Sequence, residues 1–204
     1  MPDLHRKKLL FNDFEKLKEE LYSIVKLVKK KHLNKLKEMP NIRMFGKGSI
    51  SSKLWKYYNL FNFNQPMLSE LCSEIKSEFT ERFAPQENYY ISAWVNIHKK
   101  GEHLVWHSHW EKEYDSYHGY FGVEVEPSNT TYKFCDVEDL YINKNQNGNI
   151  FINKSENDRH CVSPWEEDFD RISVAFDIIP YRTILANGGE RFNEASMIPF
   201  YIHE

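Results

Sequence analysis

The sequence predicts an α+β domain, mainly β, in which amino-terminal helices cover a set of antiparallel strands. Over roughly the first 85 positions, apolar residues recur at three- and four-residue steps, which is the period of a helix. After Pro85 the pattern changes to short runs rich in β-branched and aromatic residues, separated by turn residues. Helices followed by strands favour an arrangement in which the helices pack on one face of an antiparallel sandwich or barrel.

The bulk properties indicate one domain with a small-molecule partner. The 204 residues divide into a helical part at 1–85, a strand-rich core at 86–180 and a carboxy-terminal extension at 181–204. A net charge of −3 leaves no basic excess, so neither a nucleic-acid nor a membrane partner is expected. The three cysteines lack metal or redox spacing, and the amino terminus lacks the pattern of a signal peptide, so we expect a cytoplasmic protein.

The first predicted element is an amphipathic helix. Its apolar face consists of Leu10, Phe14, Leu17, Leu21, Ile24 and Val28. Asn12, with Glu15 three residues later, fits a capping box at its start, and lysines at its end complement the helix dipole. Pro40 and Gly46 break the pattern, and the aromatic-rich stretch 55–61 is predicted to be irregular structure that covers the core.

A second helix is predicted over residues 67–83 and is expected to pack beside the first. Leu68, Leu71, Cys72, Ile75 and Phe79 share its apolar face. The strands that follow are predicted at 89–97, 104–107, 117–125, 132–134, 149–152 and 171–179. The extension ends in an apolar segment, for which two interpretations stay open: packing onto the barrel and homodimerisation.

Histidines cluster in the middle of the chain. On a strand, residues two apart point to the same face with Cβ atoms roughly 6.5–7 Å apart, so His107 and His109 can converge on one metal ion. Glu111 continues that parity. His160 is the natural further ligand, because His203 is the only other histidine beyond the cluster at 98–118. A histidine pair alone is weak evidence, since single histidines are most often surface or satisfied core residues.

Arg171 lies eleven residues beyond His160, on a predicted strand. Alternation places Arg171 and Ser173 on one face and the apolar Ile172 and Val174 on the other. A guanidinium inside a barrel needs an anion to offset its desolvation, and a dicarboxylate supplies one through a bidentate pair. The alternative is a surface ion pair with an acidic residue of 166–170.

The order of these motifs resembles that of the phage and bacterial 2-oxoglutarate- and iron(II)-dependent oxygenases. The resemblance covers roughly residues 89 to 180. It is carried by Trp94-Val95-Asn96-Ile97, Gly101, His107-Ser108-His109, His118-Gly119-Tyr120-Phe121, Gly148-Asn149-Ile150-Phe151-Ile152, His160 and Arg171-Ile172-Ser173-Val174-Ala175-Phe176.

This resemblance implies a double-stranded β-helix (a cupin-like jelly roll) buttressed by the amino-terminal helices. It implies His107 and His160 as metal ligands, and Arg171 with Ser173 at the far carboxylate of 2-oxoglutarate. Asn96 is a candidate polar residue of the same site. The implied cofactors are Fe(II) and 2-oxoglutarate, with ascorbate as an additive in vitro. The implied reaction is hydroxylation of a small molecule such as an amino acid or its derivative.

The sequence departs from the family pattern at the carboxylate ligand, because position 109 is histidine. In the favoured interpretation His107, His109 and His160 form a three-histidine site. In the other, His109, Glu111 and His160 form a two-histidine, one-carboxylate triad. His103 is a candidate hydrogen-bonding partner behind the ligands.

Acidic residues near the proposed mouth suggest a cationic substrate. They are Glu111, Glu113, Asp115, Glu166, Glu167, Asp168 and Asp170. Two other classes of protein stay open at this point. One is a cupin-like metalloprotein with three histidines, such as a thiol dioxygenase or an isomerase, that does not use 2-oxoglutarate. The other is a β-sandwich interaction module without enzymatic activity.

Overall fold

The computed structural model describes residues 5–9, 11, 13–38, 50–135, 137–156, 158–187 and 196–203. The α-helices in these ranges are α1 (Phe14–Lys31), α2 (Leu33–Glu38), α3 (Ile50–Lys53), α4 (Pro66–Phe83) and α5 (Tyr181–Asn187). The strands are β1 (His5–Lys8), β2 (Tyr89–His98), β3 (Leu104–His107), β4 (Tyr117–Glu124), β5 (Asn129–Lys133), β6 (Tyr141–Lys144), β7 (Asn149–Lys154), β8 (Arg159–Val162), β9 (Arg171–Pro180) and β10 (Ile198–Tyr201). Among the described helices, none is both long enough and apolar enough to cross a bilayer.

Helix α1 confirms the predicted amphipathic pattern. Its buried apolar face includes Leu17, Leu21, Ile24 and Val28. The Asp13 side chain caps the helix by accepting a hydrogen bond of 2.9 Å from the backbone N–H of Lys16. The predicted cap, Asn12, lies outside the described residues. Three lysines in the last turn complement the negative end of the helix dipole.

Helix α4 packs beside α1, as predicted. Leu68, Leu71, Ile75 and Phe79 of its predicted face are fully buried. Pro66 occupies the first position of the helix, where its missing N–H costs nothing. The buried carboxylate of Glu20 in α1 accepts hydrogen bonds of 3.3 Å from the backbone N–H groups of Met67 and Leu68. These bonds fix the start of α4 against α1.

The stretch predicted to be irregular contains two single-turn 3-10 helices, Trp55–Tyr57 and Leu60–Asn62. Leu54, Tyr58 and Leu60 are buried in the main core. The stretch therefore covers part of the core, as predicted.

The ten strands form two antiparallel sheets. One has six strands in the order β1-β7-β4-β9-β2-β10, and the other has four in the order β3-β8-β5-β6. From β2 to β9, consecutive strands pass from one sheet to the other, except for the pair β5–β6, and strands distant in sequence pair within each sheet. This is the topology of a jelly roll. The predicted double-stranded β-helix with its helical buttress is confirmed.

Alternation along the central strands gives the six-stranded sheet two different faces. On β9, Ile172, Val174, Phe176 and Ile178 pack with the helices in the main core. The alternating residues Arg171, Ser173, Ala175 and Asp177 line a cavity between the two sheets. The predicted separation of Arg171 and Ser173 from the apolar face is confirmed, and Arg171 points into the barrel.

Several strands differ from the prediction. Strand β5 begins at Asn129, earlier than the predicted 132–134, because its first residues are polar and gave no apolar signal. Strands β1, β6, β8 and β10 were not predicted: each has four residues, too few for a period to stand out.

The two ends of the chain contribute edge strands to the six-stranded sheet. Strand β1 pairs with β7, and β10 pairs with β2 and places Phe200 in the core. The apolar end of the extension thus packs within the chain. The division at 85 and 180 and the homodimer stay predictions.

Candidate active site

A cavity of about 390 Å³ lies between the two sheets. Its walls come from both sheets and from the segments around Trp55 and Trp110. Six residues of the favoured site prediction line it: Asn96, His107, His109, His160, Arg171 and Ser173. The predicted candidates are therefore brought to one place from four different parts of the chain.

Backbone pairing holds His107 and His160 together. Strands β3 and β8 are antiparallel neighbours, and His107 lies opposite His160 in their register. The centroids of the two imidazole rings are 4.3 Å apart. Both side chains point from the four-stranded sheet into the cavity, so this pair depends on strand geometry alone.

His109 joins the pair from a different kind of position. The strand parity used to predict it does not apply, because β3 ends at His107 and His109 lies in the segment that follows. Its ring centroid is nevertheless 5.5 Å from that of His107 and 5.1 Å from that of His160. One nitrogen from each of the three rings lies within 4.8 Å of the others, a spacing that one metal ion can bridge.

Hydrogen bonds determine which ring nitrogens are available. His107 Nδ1 lies 2.8 Å from the carbonyl oxygen of Val105, and His109 Nδ1 lies 2.5 Å from a carboxylate oxygen of Asp177. Carbonyl and carboxylate oxygens only accept, so both Nδ1 atoms carry the proton. In the neutral rings the lone pair is then on Nε2. This donor set fits iron(II), for which imidazole is a suitable ligand.

Burial keeps the imidazoles of His107 and His160 neutral. Burial, together with the neighbouring His109, lowers the pKa of His107 to about 4. Burial, together with the other three histidines of the cavity, lowers the pKa of His160 well below its ordinary value. A neutral imidazole is the form that binds a metal ion, so the two rings are ready to coordinate at physiological pH.

A second group of possible ligands shares His160. It consists of His118, Asp158 and His160, whose ligand atoms also lie within 4.8 Å of one another. His118 Nε2 donates to Asp158 at 3.0 Å. Burial alone would lower the pKa of His118, but the charges of Asp158 and Asp177 outweigh it and the pKa is raised. Because His118 and Asp158 are already hydrogen-bonded to each other, we regard them as residues that surround the three-histidine site and not as metal ligands.

The sequence reasoning missed three of these residues. Asp177 shares the parity of Arg171 and Ser173, so alternation along its strand was a usable signal. His118 stood within the family resemblance, but nothing in its surroundings marked it as part of the metal site. Asp158 lies two residues before His160, on a segment that was not predicted to lead into a strand.

The other predicted ligand and the predicted partner behind the ligands lie elsewhere. Glu111 is exposed, lines the mouth of the cavity and belongs to neither ligand group. A triad of His109, Glu111 and His160 is therefore not assembled among the described residues. His103 is not a lining residue of the cavity; it lies near His98, whose pKa its charge lowers.

Arg171 occupies the other end of the cavity. The side chain is buried, and its guanidinium donates to Ser128 Oγ at 3.0 Å and to Ser173 Oγ at 3.3 Å. In the described part of the chain, no carboxylate lies within ion-pair distance of it. Burial lowers the pKa of Arg171 to about 10, although Tyr120 and Tyr132 oppose the shift.

A polar network supports this end. Tyr120 Oη donates to Asn145 Oδ1 at 2.7 Å, and Asn145 Nδ2 donates to Ser128 Oγ at 2.8 Å. Asn96 lies opposite Ser173 in the β2–β9 register and accepts a hydrogen bond from Ser52 Oγ at 2.5 Å. The Ser128 hydroxyl, which contacts Arg171, is therefore held in place by its hydrogen bond to Asn145.

Three of the seven acidic residues near the mouth are paired with lysine or arginine. Asp115 pairs with Lys154 at 2.6 Å and with Arg182 at 2.7 Å. Asp168 pairs with Lys100 and Asp170 with Lys99. Glu111 is the acid among them that lines the cavity, and no ion pair is found for it among the described residues.

Comparisons with known proteins place the fold. No family model and no curated protein matches the sequence. A prolyl hydroxylase of Trichoplax adhaerens, solved with a hypoxia-inducible-factor peptide fragment, is similar in structure, with a TM-score of 0.61 at 7% identity over 91% of this chain and 87% of that one.

Two further solved structures are similar. The carbocyclase SnoK of nogalamycin biosynthesis, described as non-haem and α-ketoglutarate-dependent, gives a TM-score of 0.56 at 8% identity over 88% of this chain and 80% of its own. A prolyl-4-hydroxylase of Pseudomonas putida gives 0.54 at 8% identity over 88% and 94%. At such identities the likeness concerns the fold alone: this chain has the double-stranded β-helix on which these oxygenases are built.

Proposed function

We propose that this chain is an iron(II)- and 2-oxoglutarate-dependent oxygenase that oxidises a small molecule. One observation carries the proposal: Arg171 is buried, and its side-chain partners among the described residues are hydroxyls, in the same cavity as three converging imidazoles. A buried cation without a counter-charge is costly unless a ligand supplies the anion. A keto acid with a second carboxylate has one end for a metal and the other for a guanidinium.

The residues take separate roles in this proposal. His107, His109 and His160 would hold the metal through nitrogen atoms, which leaves coordination positions open toward the cavity. Arg171 and Ser173 would bind the far carboxylate of 2-oxoglutarate, and Asn96 would line its path. Bound iron(II) would supply the activation of dioxygen that oxidative decarboxylation of the keto acid to succinate and carbon dioxide requires. The residues of this chain position the reactants and exclude water from them.

The rival classes account for fewer of the observations. A three-histidine thiol dioxygenase or isomerase would use the imidazoles but would leave the buried Arg171 without a function. An interaction module without a metal would leave both ends of the cavity unexplained. The oxygenase uses both ends, with a single co-substrate that joins them.

We infer further that the small molecule carries a positive charge. Glu111 lines the mouth, whereas Asp115, Asp168 and Asp170 are neutralised by ion pairs. Trp55 and Trp110 line the same region, and indole faces bind cations well. Basic amino acids should therefore stimulate succinate formation more than acidic ones, and Glu111→Gln should remove the preference. Equal stimulation by both kinds would contradict a cationic substrate.

The proposed function is tested by turnover without a primary substrate. Purified protein is incubated with iron(II), ascorbate and 2-oxoglutarate, and succinate is measured. We expect succinate to form slowly, only when both iron(II) and 2-oxoglutarate are present, and not in a His160→Ala variant. Protein that binds one metal ion per chain yet forms no succinate, with or without amino acids, would contradict the proposal and favour the three-histidine rival.

A further inference from the structure

Asp177 is a buried carboxylate whose close side-chain partner among the described residues is the ring of His109. It lies on β9, on the cavity face, and its side chain is 4% exposed. Its Oδ1 atom is 2.5 Å from His109 Nδ1. In the described part of the chain no lysine or arginine lies within ion-pair distance of it. A carboxylate in such surroundings needs compensation, which a nearby metal ion would provide.

The contact decides how His109 is oriented. His109 lies beyond the end of β3, so strand pairing does not orient its ring as it does for His107 and His160. The ring rests beside Trp94, at 5.9 Å between centroids, and donates from Nδ1 to Asp177. Because Nδ1 is the donor, Nε2 faces the other two histidines with its lone pair free.

The same contact also supplies charge. The family pattern has a carboxylate at position 109, whereas a set of three imidazoles is neutral. Asp177 places one negative charge directly behind the imidazole that replaces that carboxylate. A hydrogen bond from a ligating histidine to a carboxylate raises the basicity of the ligand and fixes its orientation. The site thus keeps a negative charge, on Asp177, which would contact the metal ligand His109 and not the metal itself.

We propose that Asp177 is the positioning residue of this metal centre: it aims His109 Nε2 at the ion and supplies the negative charge that the ligand set lacks. The inference rests on the proposed function for the identity of the metal site, but not for the use of 2-oxoglutarate. It assigns different consequences to the loss of the charge and to the loss of the hydrogen bond.

The test measures binding of cobalt(II) to the full chain by competition with a chromophoric chelator. Asp177→Ala removes both the charge and the acceptor and should weaken binding by about 10–100-fold. Asp177→Asn keeps an acceptor for Nδ1 and should lose less. The matched control is Asp168→Asn, an exposed aspartate paired with Lys100, which should bind cobalt(II) like the unmodified protein.

A second readout separates positioning from a merely structural role. Each variant is unfolded with and without cobalt(II), and the stabilisation by the metal is the difference between the two. The metal-free Asp177→Asn protein should be as stable as the unmodified protein, with a smaller stabilisation by the metal and an altered visible cobalt(II) spectrum. If Asp177→Ala fails to fold, Asp177→Asn carries the test.

The outcomes distinguish this inference from the proposed function. Cobalt(II) affinity and spectrum unchanged in both Asp177 variants would overturn the role of Asp177, even if the protein forms succinate. A cobalt(II) affinity that falls from the unmodified protein to Asp177→Asn and again to Asp177→Ala would support that role, even if no succinate forms and the oxygenase proposal fails. An unmodified protein that binds no cobalt(II) would overturn both.

Discussion

Buried charged side chains have different kinds of partner at the two ends of the cavity. At the metal end each carboxylate has a histidine partner: Asp177 with His109 at 2.5 Å and Asp158 with His118 at 3.0 Å. At the other end, the partners of Arg171 in the described part of the chain are the hydroxyls of two serines. At the metal end, the two carboxylates can balance the charge of a bound cation. At the other end, the charge of Arg171 is balanced only when an anion binds.

This difference predicts that substitutions at the two ends have different signatures. Substitutions at the metal end should weaken metal binding and, as a consequence, every step that needs the metal. Substitutions at the arginine end should leave the metal in place and change the affinity for the keto acid.

The largest effect is expected at His160, which belongs to both ligand groups. His160→Ala should weaken cobalt(II) or iron(II) binding by more than the roughly 10–100-fold typical for changes outside the coordination sphere, and should abolish succinate formation. Metal content after dialysis provides the measurement. The control is His203→Ala, which changes an exposed histidine near the chain end and should retain metal. Equal metal content in the two variants would place the site elsewhere.

A large effect confined to the keto acid is expected at Arg171. Arg171→Met should leave metal content unchanged and raise the half-saturating 2-oxoglutarate concentration by about 100-fold or more, since it removes one partner of a buried, hydrogen-bonded charge pair. Without ligand, the variant should unfold at the same or a higher temperature, because an uncompensated charge is gone. The matched control is Arg182→Met, at an exposed arginine. Loss of metal in Arg171→Met would break the division between the ends.

The smallest effect concerns stability near the arginine end. Burial, with Arg171 and His103, lowers the pKa of His98 from its ordinary value near 6.5 to about 3. Between these values the unfolded chain binds a proton that the folded chain does not, so the free energy of unfolding falls as the pH drops. This group contributes at most about 1.4 kcal/mol per pH unit, and nothing above its unfolded pKa.

Denaturant unfolding of metal-free protein at about pH 7 and about pH 5 measures this contribution. His98→Leu should lose less stability between the two pH values than the unmodified protein. His203→Ala serves as the control and should keep the full loss. The same loss in His98→Leu would show that His98 titrates alike in the folded and unfolded states.

Local patterns predicted much of the fold. The helix at 67–83 and the strand at 171–179 were readable because each has enough residues for its period to be seen. The four-residue strand at 104–107 was readable because its first three residues are all apolar. Strand β8 was missed although it carries His160: four residues of mixed polarity give no period. Strand β1 is almost entirely charged, and only its pairing with β7 makes it a strand.

The site divides along the same line. Arg171 and Ser173 followed from alternation on one strand, and the same rule, carried further, would have reached Asp177. His118 and Asp158 meet only because β4 and the segment before β8 adjoin in the folded barrel, a non-local fact that no spacing contains. His109 was predicted for the wrong local reason, since it lies beyond its strand, yet its ring lies beside the other two.

The most direct test of the account is an anaerobic titration of the iron(II)-loaded protein with 2-oxoglutarate, monitored by the visible charge-transfer absorption of the chelated keto acid. The account predicts saturable absorption at one 2-oxoglutarate per chain, absent in His160→Ala and shifted to higher concentration in Arg171→Met. Metal-loaded protein without this absorption, or with the same titration curve in Arg171→Met, would contradict it.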